Sequence, residues 1–521
     1  MKEMINKYSN RIFFTILLML FVSVTVSAQV AIPPAGSGTL GEPYLVASLE
    51  NLYWITQNSG EWGKYYEQTA DIDAVSTSSW DGGAGFTPIG NNFIKFTGTY
   101  DGKEHFINAL YINRNTTNYI GLFGSTCSAN IRNLGLTNVD INGGHMVGSL
   151  VGYTDCNSSI SNCYATGDVG GVRSVGGLVG FNNESNIFDC YTTDTVNGDN
   201  YAIGGLVGDN WSSTISNCFA AGDVVGNIYT GGLVALNSQS SISNCYATGD
   251  VAGSTYTAGL AVYNANSTIS NCYATGGVVG NDYVGGLVSL NYGGNIINCY
   301  SIGTVTGVFR VGGLIGDMFE GSVTNSFWDI QTSGQAGSDG GTGKTTSEMK
   351  NIATFTDEST SGLDNAWDFV DNPNDDLNNE EIWNINASYS SGYSVLSWQL
   401  FIATDPVNEI SLATATGNST VFGSSTSRGF CWNTTGSPTT DDNKTEETGS
   451  WKNEYSFSAS ITGLSGEQIY YVKAYASNSM GTVYGNEVSF VTVPTLGQWG
   501  LIALGSITAL LGGWFVYRRF V

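Results

Sequence analysis

Histidine is almost missing from this chain: among 521 residues there are two, His105 and His145. That removes the commonest general base, and the sequence holds no HExxH pair and no nucleophile set beside a histidine. Proline is scarce at 8, so the 69 glycines do not belong to a collagen-like or proline-rich stalk. Positive charge is short as well: 18 lysines and arginines face 44 aspartates and glutamates, giving a formal net charge of -26. Between Gly152 and Val323 the only cationic side chains are Arg173 and Arg310. Nucleic acid is excluded as a partner, because neutralising phosphates needs a basic face. Long apolar runs occur only near the two ends, and the length predicts two or three domains.

Both terminal runs read as export signals. Lys2, Lys7 and Arg11 precede "IFFTILLMLFVSVTV", and "VSA" before Gln29 predicts cleavage between Ala28 and Gln29. The alternative is an uncleaved anchor. Trp499 to Tyr517 is uncharged, mostly apolar and long enough to cross a bilayer as a helix. Arg518 and Arg519 follow it, which places the preceding chain outside the cytoplasm.

What the chain has in abundance is repetition. "SISNCYATGDV" occurs at Ser159 and again at Ser241, with variants between and beyond. Aligned on the residue after the asparagine, the file runs Leu134, Cys163, Cys190, Cys218, Cys245, Cys272, Cys299, Ser326, at intervals of 29, 27, 28, 27, 27, 27 and 27. A second phrase keeps step: "GSLVGYT", "GGLVGFN", "GGLVGDN", "GGLVALN", the worn "AGLAVYN", "GGLVSLN" and "GGLIGDM". Short stretches rich in Val, Ile, Thr, Tyr and Cys, punctuated by Gly, Asn, Asp and Ser, suit strands and tight turns. A period of 27 is too short for a propeller blade and the composition is wrong for helical repeats. The expectation is all-β: a right-handed parallel β-helix with three short strands in each coil of about 27 residues.

These phrases resemble the GLUG repeat of bacterial surface proteins. "FTGTYDGKEHFINALYINRNTTNYIGLFG" (Phe96 to Gly124) resembles that family's lead-in coils, and "SFWDIQTSGQAGSDGGTGKTTSEMK" (Ser326 to Lys350) its closing segment, with "IWNINASYSSGYSVLSWQ" further on. The family implies surface display and adhesion, with no assigned chemistry. "GLSGEQIYYVKAYASNSMGTVYGNEVSFVT" (Gly463 to Thr492) resembles the last strands of a fibronectin type III-like β-sandwich, with Leu464 and Tyr470 spaced as in its tyrosine corner. "SRGFCWN" (Ser427 to Asn433) is similar to an inner strand of that sandwich, with Cys431 a lone buried thiol. "VPTLGQWG", with Val493, Pro494, Thr495, Leu496 and Trp499 ahead of Arg518 and Arg519, resembles the IPTL-CTERM sorting signal of Gram-negative bacteria. That resemblance implies recognition by a sorting machinery; a plain single-pass anchor is the alternative. The predicted organisation is a signal peptide (1–28), a linker (29–43), an N-terminal cap with first coils (44–133), the repeat β-helix (134–330), a closing segment (331–402), the sandwich (403–492) and the sorting segment with its transmembrane helix (493–521).

In-register stacking puts Cys163, Cys190, Cys218, Cys245, Cys272 and Cys299 in one inward column, beside Ala165, Ala220, Ala247 and Ala274. The expectation is a ladder of buried thiols rather than disulfides, because stacked Cβ atoms stay about 4.8 Å apart and point in parallel. Zinc needs four converging ligands, which a line does not supply. The intervening Tyr164, Tyr191, Phe219, Tyr246, Tyr273, Tyr300 and Phe327 are expected outward and exposed, with Tyr201, Tyr229, Tyr256 and Tyr283 as a second column. Cys127 and Cys156 each lie four residues before a strand isoleucine, at a turn, and are expected to form a disulfide.

Asp223 and Asp250 share one position in consecutive coils, open to a bound Ca2+ or to a retaining-glycosidase pair. Asp168, Thr195, Gly277 and Thr304 share that position, and the steady period leaves no loops to wall a cleft, so a non-enzyme is expected. "DNPNDDLNNEE" (Asp371 to Glu381) is a second place for calcium; no other cofactor is expected. "GGTGKTT" (Gly340 to Thr346) has Ser338 where a phosphate loop requires glycine. The expected function is an adhesin of the Gram-negative cell surface, holding a glycan or protein through its lateral face. The alternatives are a passive envelope component and a polysaccharide-cleaving enzyme.

Overall fold

The computed structural model describes residues 29–370, 382–385, 391–451, 454–478 and 481–493. The predicted signal segment, the Asp371 to Glu381 acidic run, and residues 494–521 with Pro494 through Arg519 of the expected sorting segment lie outside the described residues. The predicted span at Trp499 to Tyr517 is among them; among the described residues no helix is long and apolar enough to cross a membrane.

Thirty-seven short strands between Tyr44 and Lys344 pair into one sheet wound as a β-solenoid of about 9 turns, ~27 residues per coil. The chain divides into two compact units, residues 1–268, 273–294 and 303–321 in one and 269–272, 295–302 and 322–521 in the other.

In the first unit one coil reads Val207–Trp211, Thr214–Ser216, Phe219–Ala220, Val224–Val225 and Ile228–Gly231. Each strand pairs in parallel with its equivalents on both sides: Val179, Val207 and Val234 lie in register, as do Ile187, Ile215 and Ile242. The coil therefore has five strands where three were expected. Left-handed residues cut the sides: Ser212 at φ 50°, Asn217 at 51° and Tyr229 at 58°. Asparagine tolerates this conformation best among non-glycine residues, which explains the residue before each cysteine. Asn133, Asn162, Asp189, Asn217, Asn244, Asn271, Asn298 and Asn325 all adopt it. Within each unit these side chains also bond along their file, as Asn244 donating to Asn217 at 3.3 Å and Asn298 to Asn271 at 3.3 Å.

Two polar ladders run inside the first unit. Asn182 donates its amide to Asn210 at 2.8 Å, Asn210 to Asn237 at 2.9 Å, Asn237 to Asn264 at 3.0 Å and Asn264 to Asn291 at 2.8 Å. Ser185, Ser213, Ser240 and Ser267 accept from the backbone N–H of the serine one coil earlier, at 2.9 to 3.1 Å. Around these ladders pack the aliphatic files of Ile160, Ile187, Ile215 and Ile242 and of Leu206, Leu233, Leu260 and Leu287, none more than 1 % exposed.

The second unit holds two structures. Phe327–Asp329 pairs in parallel with Tyr300–Ser301 and with Thr342–Lys344, so winding continues past the expected end of the repeat region at residue 330. Trp367 packs on Tyr300, Phe327, Phe355 and Trp383, and Tyr300 donates its hydroxyl to the Ser394 carbonyl. Asp329 accepts from Tyr393 Oη at 2.8 Å, Thr346 Oγ1 at 2.7 Å and the Gln331 backbone at 2.9 Å. "GKTT" does sit at a strand-to-helix junction, but the helix is the four-residue Thr346–Met349, capped reciprocally by Thr345 and Glu348. Lys344 is buried and donates to the Ser361 carbonyl at 2.9 Å, so it is committed to the closing segment.

Beyond Phe401 stand two antiparallel sheets. One comprises Phe401–Asn408, Thr414–Phe422 and Glu454–Thr462; the other is built on Ser425–Asn433 and Ile469–Asn478. Phe430, Trp432, Phe457, Ile461, Val472 and Phe490 share one buried core. Tyr470 Oη accepts from the Ser465 backbone N–H at 2.9 Å.

The asparagine ladder is unfinished at one end. Thr154 pairs with Asn182 of the following coil, and both Thr154 Oγ1 and Asn182 Oδ1 are buried without a hydrogen-bond partner. Thr154→Asn is expected to donate to Asn182 and raise the melting temperature, by about 1 kcal/mol of stability. Asn237→Ala, which orphans an amide on one side and a carbonyl on the other, is expected to cost about 2–4 kcal/mol. Calorimetric melting of both variants checks the ladder; no change in either would remove its energetic role.

Candidate functional site

In the first unit Cys163, Cys190, Cys218 and Cys245 form a buried column. The Cys163 backbone N–H donates to Cys190 Sγ at 3.4 Å, and that of Cys218 to Cys245 Sγ at 3.4 Å. Each thiol donates in turn to the carbonyl two residues before it, at 3.1 to 3.2 Å. In the second unit Cys272 and Cys299 make the same bond, to Ser270 at 3.0 Å and Ile297 at 3.1 Å. All six are free and buried, as is Cys431. Burial pushes the Cys163 and Cys218 thiols well up, which keeps them neutral and unreactive. With donor and acceptor both used within the backbone, the column is packing rather than a site.

Cys127 and Cys156 are joined as a disulfide, their Cα atoms 4.9 Å apart. Cys127 pairs with Asp155, so Cys156 is one residue past it, in the left-handed conformation at φ 58°. The turn is what lets two adjacent coils turn sulfur toward sulfur. Ser128 Oγ donates to the Cys156 carbonyl at 2.8 Å beside it.

The aromatic columns differ from expectation. Tyr164, Tyr191, Phe219, Tyr246 and Tyr273 stack at 4.7 to 5.1 Å with planes within 6° of parallel. The first four are half-buried, and Tyr273, Tyr300 and Phe327 are buried, so the column is not an exposed face. Each ring covers its neighbour's faces and presents only its edge to water. The second column is stacked from Tyr229 through Tyr256 to Tyr283, at 4.7 and 4.4 Å. Tyr201 meets Tyr229 edge-on at 62°, because Tyr201 is in register with Ile228. Arg173 lies over Tyr201 at 4.8 Å and Arg310 over Tyr283 at 4.8 Å, so both arginines of the repeat region sit on this column. Open apolar surface lies instead at Trp211, Tyr292, Phe309 and Phe319, which are 42 to 57 % exposed.

Asp223 and Asp250 are exposed and on consecutive coils. Asp223 Oδ1 accepts from the Asp250 N–H at 2.9 Å, and Asp250 Oδ1 from the Gly277 N–H at 2.7 Å. Each thus caps the next coil's backbone. Among the described residues no three Asp, Glu, His or Cys side chains converge to hold a metal.

Among the buried carboxyls missed by sequence reasoning, two lie within the repeat coils and break their files. Asp209 stands in register between Phe181 and Leu236, and Ser174 Oγ donates to it. Asp194 stands where other coils have Gly167, Gly222, Gly249, Gly276 and Gly303.

With this geometry in hand, comparison with known proteins places the repeats. The GLUG motif matches residues 143–170, 171–197, 199–225, 226–252 and 280–306, and the IPTL-CTERM motif matches residues 493–519. This chain carries GLUG repeats. The worn "AGLAVYN" copy falls in the interval between matched segments. Halomucin of Haloquadratum walsbyi is 39% identical over 140 residues, which is 26% of this chain and 2% of halomucin. A putative Gly-rich membrane protein of Evansella cellulosilytica is 36% identical over 121 residues, 22% of this chain and 14% of that protein. The chain therefore spans a small part of the curated relatives it matches. A solved sensor domain of the anti-sigma factor RsgI4 from Pseudobacteroides cellulosolvens shares 20% identity over 19% of this chain and 92% of its own, with a TM-score of 0.15.

Two outcomes follow. Iodoacetamide on the denatured, unreduced chain is expected to modify the seven free cysteines and spare Cys127 and Cys156. Modification of all 9 without reductant, read by mass spectrometry, would remove the disulfide. Burial pushes Asp209 up to about 6 from 3.8, opposed by the Ser174 hydroxyl and Arg173. Between those values the folded chain holds more protons than the unfolded one, so this group's stability contribution is full below the lower value and lost as pH rises through the upper. The loss at neutral pH is about 3 kcal/mol. Asp209→Asn is expected to melt above the parent at pH 7.5, with the gap closing by about pH 4.

Proposed function

We propose that this chain is an exported, surface-associated repeat protein whose solenoid serves as a non-catalytic structural scaffold of the cell envelope. The IPTL-CTERM motif supports retention by a membrane sorting machinery, and the relatives, a halomucin and a membrane protein, support a surface setting. The observation that carries the scaffold reading is the closure of the stacked columns. Sugar binding by aromatic residues uses open ring faces, and here the ring faces are turned to one another along both tyrosine columns. The asparagine and serine files satisfy their own polar groups coil by coil, which favours rigidity over recognition. The two-sheet domain, with its Tyr470 to Ser465 bond, supports a fibronectin III-like spacer.

Adhesion is the second reading, and it moves to the open aromatics. Trp211, Tyr292, Phe309 and Phe319 leave ring surface to solvent that a glycan or protein ligand can cover. A glycan array, with binding to extracellular matrix proteins measured alongside, discriminates the two readings. The scaffold reading expects no saturable binding. Saturable binding lost in Phe309→Ala and Phe319→Ala would replace it with adhesion.

A further inference from the structure

Asp194 is the least explained polar group in the first unit. It is 0 % exposed, and neither carboxylate oxygen has a hydrogen-bond partner. Such a group costs several kcal/mol unless something absent from the protein's own donors meets it. Five other coils have glycine at this position. The surroundings sharpen the problem. Asp168 pairs with Thr195, the next residue along, and Asp140 pairs with Asp168. Burial and the Asp168 carboxylate push Asp194 well up, and burial and Asp168 also push Asp140 up. The two cationic side chains of the repeat region are stacked on Tyr201 and Tyr283. Asp223 and Asp250 differ in kind, because both are exposed and already accept a backbone N–H.

We propose that Asp194, together with Asp168 of the preceding coil, holds a Ca2+ ion whose remaining ligands are backbone carbonyls and water. Unpaired carboxylate oxygens without a nearby N–H donor are what a hard cation requires, and Ca2+ accepts irregular sets of oxygen ligands where Mg2+ demands an octahedron. Because among the described residues no three acidic side chains converge, the site belongs to the weak class of extracellular calcium modules, with a Kd of about 10⁻⁴–10⁻³ M. The ion would offset the repulsion between the Asp168 and Asp194 carboxylates. The site stands independently of whether the surface is scaffold or adhesin.

The repeat supplies its own control variants. Asp194→Gly restores the residue of five other coils, and Asp168→Thr restores that of Thr195 and Thr304, so both should fold, as circular dichroism verifies. Tb3+ is titrated into the full chain in detergent with excitation of tyrosine, Tyr191 being three residues from Asp194. Saturable Tb3+ emission, displaced by excess CaCl2, is expected in the parent and in Asp250→Gly, and at least tenfold weaker in Asp194→Gly and Asp168→Thr. CaCl2 is expected to raise the parent's melting temperature by a few degrees and to leave Asp194→Gly unmoved. No saturable emission, emission unchanged in Asp194→Gly, or emission lost in Asp250→Gly would each overturn the site. So would an Asp194→Gly chain that melts above the parent at every calcium concentration, the behaviour of a buried neutral acid.

Discussion

Parallel strands lie about 4.8 Å apart, and in this chain the strand partner of each residue is its own equivalent one coil away. Every position must therefore tolerate a copy of itself at that distance. Groups that are both donor and acceptor do so well: asparagine amides chain from Asn182 to Asn291, and serine hydroxyls from Ser185 to Ser267. Flat rings do so by stacking, and aliphatic side chains by contact. Charged groups do so badly, since like charges at that spacing repel. The low charge of the repeat region and its wealth of Asn, Ser, Tyr and Val follow from this constraint.

Much of the architecture was legible because the constraint writes itself into the period. Intervals of 27 and 28 residues announce the coil, and identical residues in each interval announce the files. The corner cysteines stood out because Cys127 and Cys156 break step with the other cysteines. Less legible was where the backbone turns. Asn217 and Asn244 look like alignment marks in the sequence, yet their left-handed backbone is what cuts a side into two strands. The register of Tyr201 was misleading for a related reason. An interval of 28 residues separates it from Tyr229, and the extra residue is taken up before the strand, so Ile228 becomes its partner. Ring orientation was also hidden. Alternation gives the side of the sheet a tyrosine leaves from, but only the stacking distance says that its faces are already covered.

Stacking also makes the ends of a file chemically different from its middle. An interior asparagine gives and receives, whereas Asn182 only gives, and its carbonyl oxygen is left without a donor. An interior ring is covered on both faces, whereas in the second unit Tyr300 and Phe327 need Trp367, and Tyr300 needs Trp383 as well. The closing segment is accordingly rich in Trp and Phe, and the repeat motif gives way there to residues that serve one place only. Asp329, bonded to Tyr393, Thr346 and Gln331, is the clearest of them; hydrogen bonds hold its carboxyl below the usual range against the opposing effect of burial.

Where the asparagine, serine and ring files satisfy themselves, function has to be sought where a file is broken. A column of identical residues does chemistry with itself and has little left for a ligand, as the thiols and the tyrosines show. A residue that departs from its column has no copy to bond with, and its polar atoms are free for something else. Asp209 among Phe181 and Leu236 finds Ser174. Asp194 among glycines finds nothing in the protein, while Asp168 sits one coil away with the same charge. The same reasoning separates Asp223 and Asp250 from Asp194 although all are acidic: the first two repeat each other and close a backbone ladder, and the third repeats nothing. Departure from the period, rather than the period itself, is therefore where the proposed ion is to be sought in this fold.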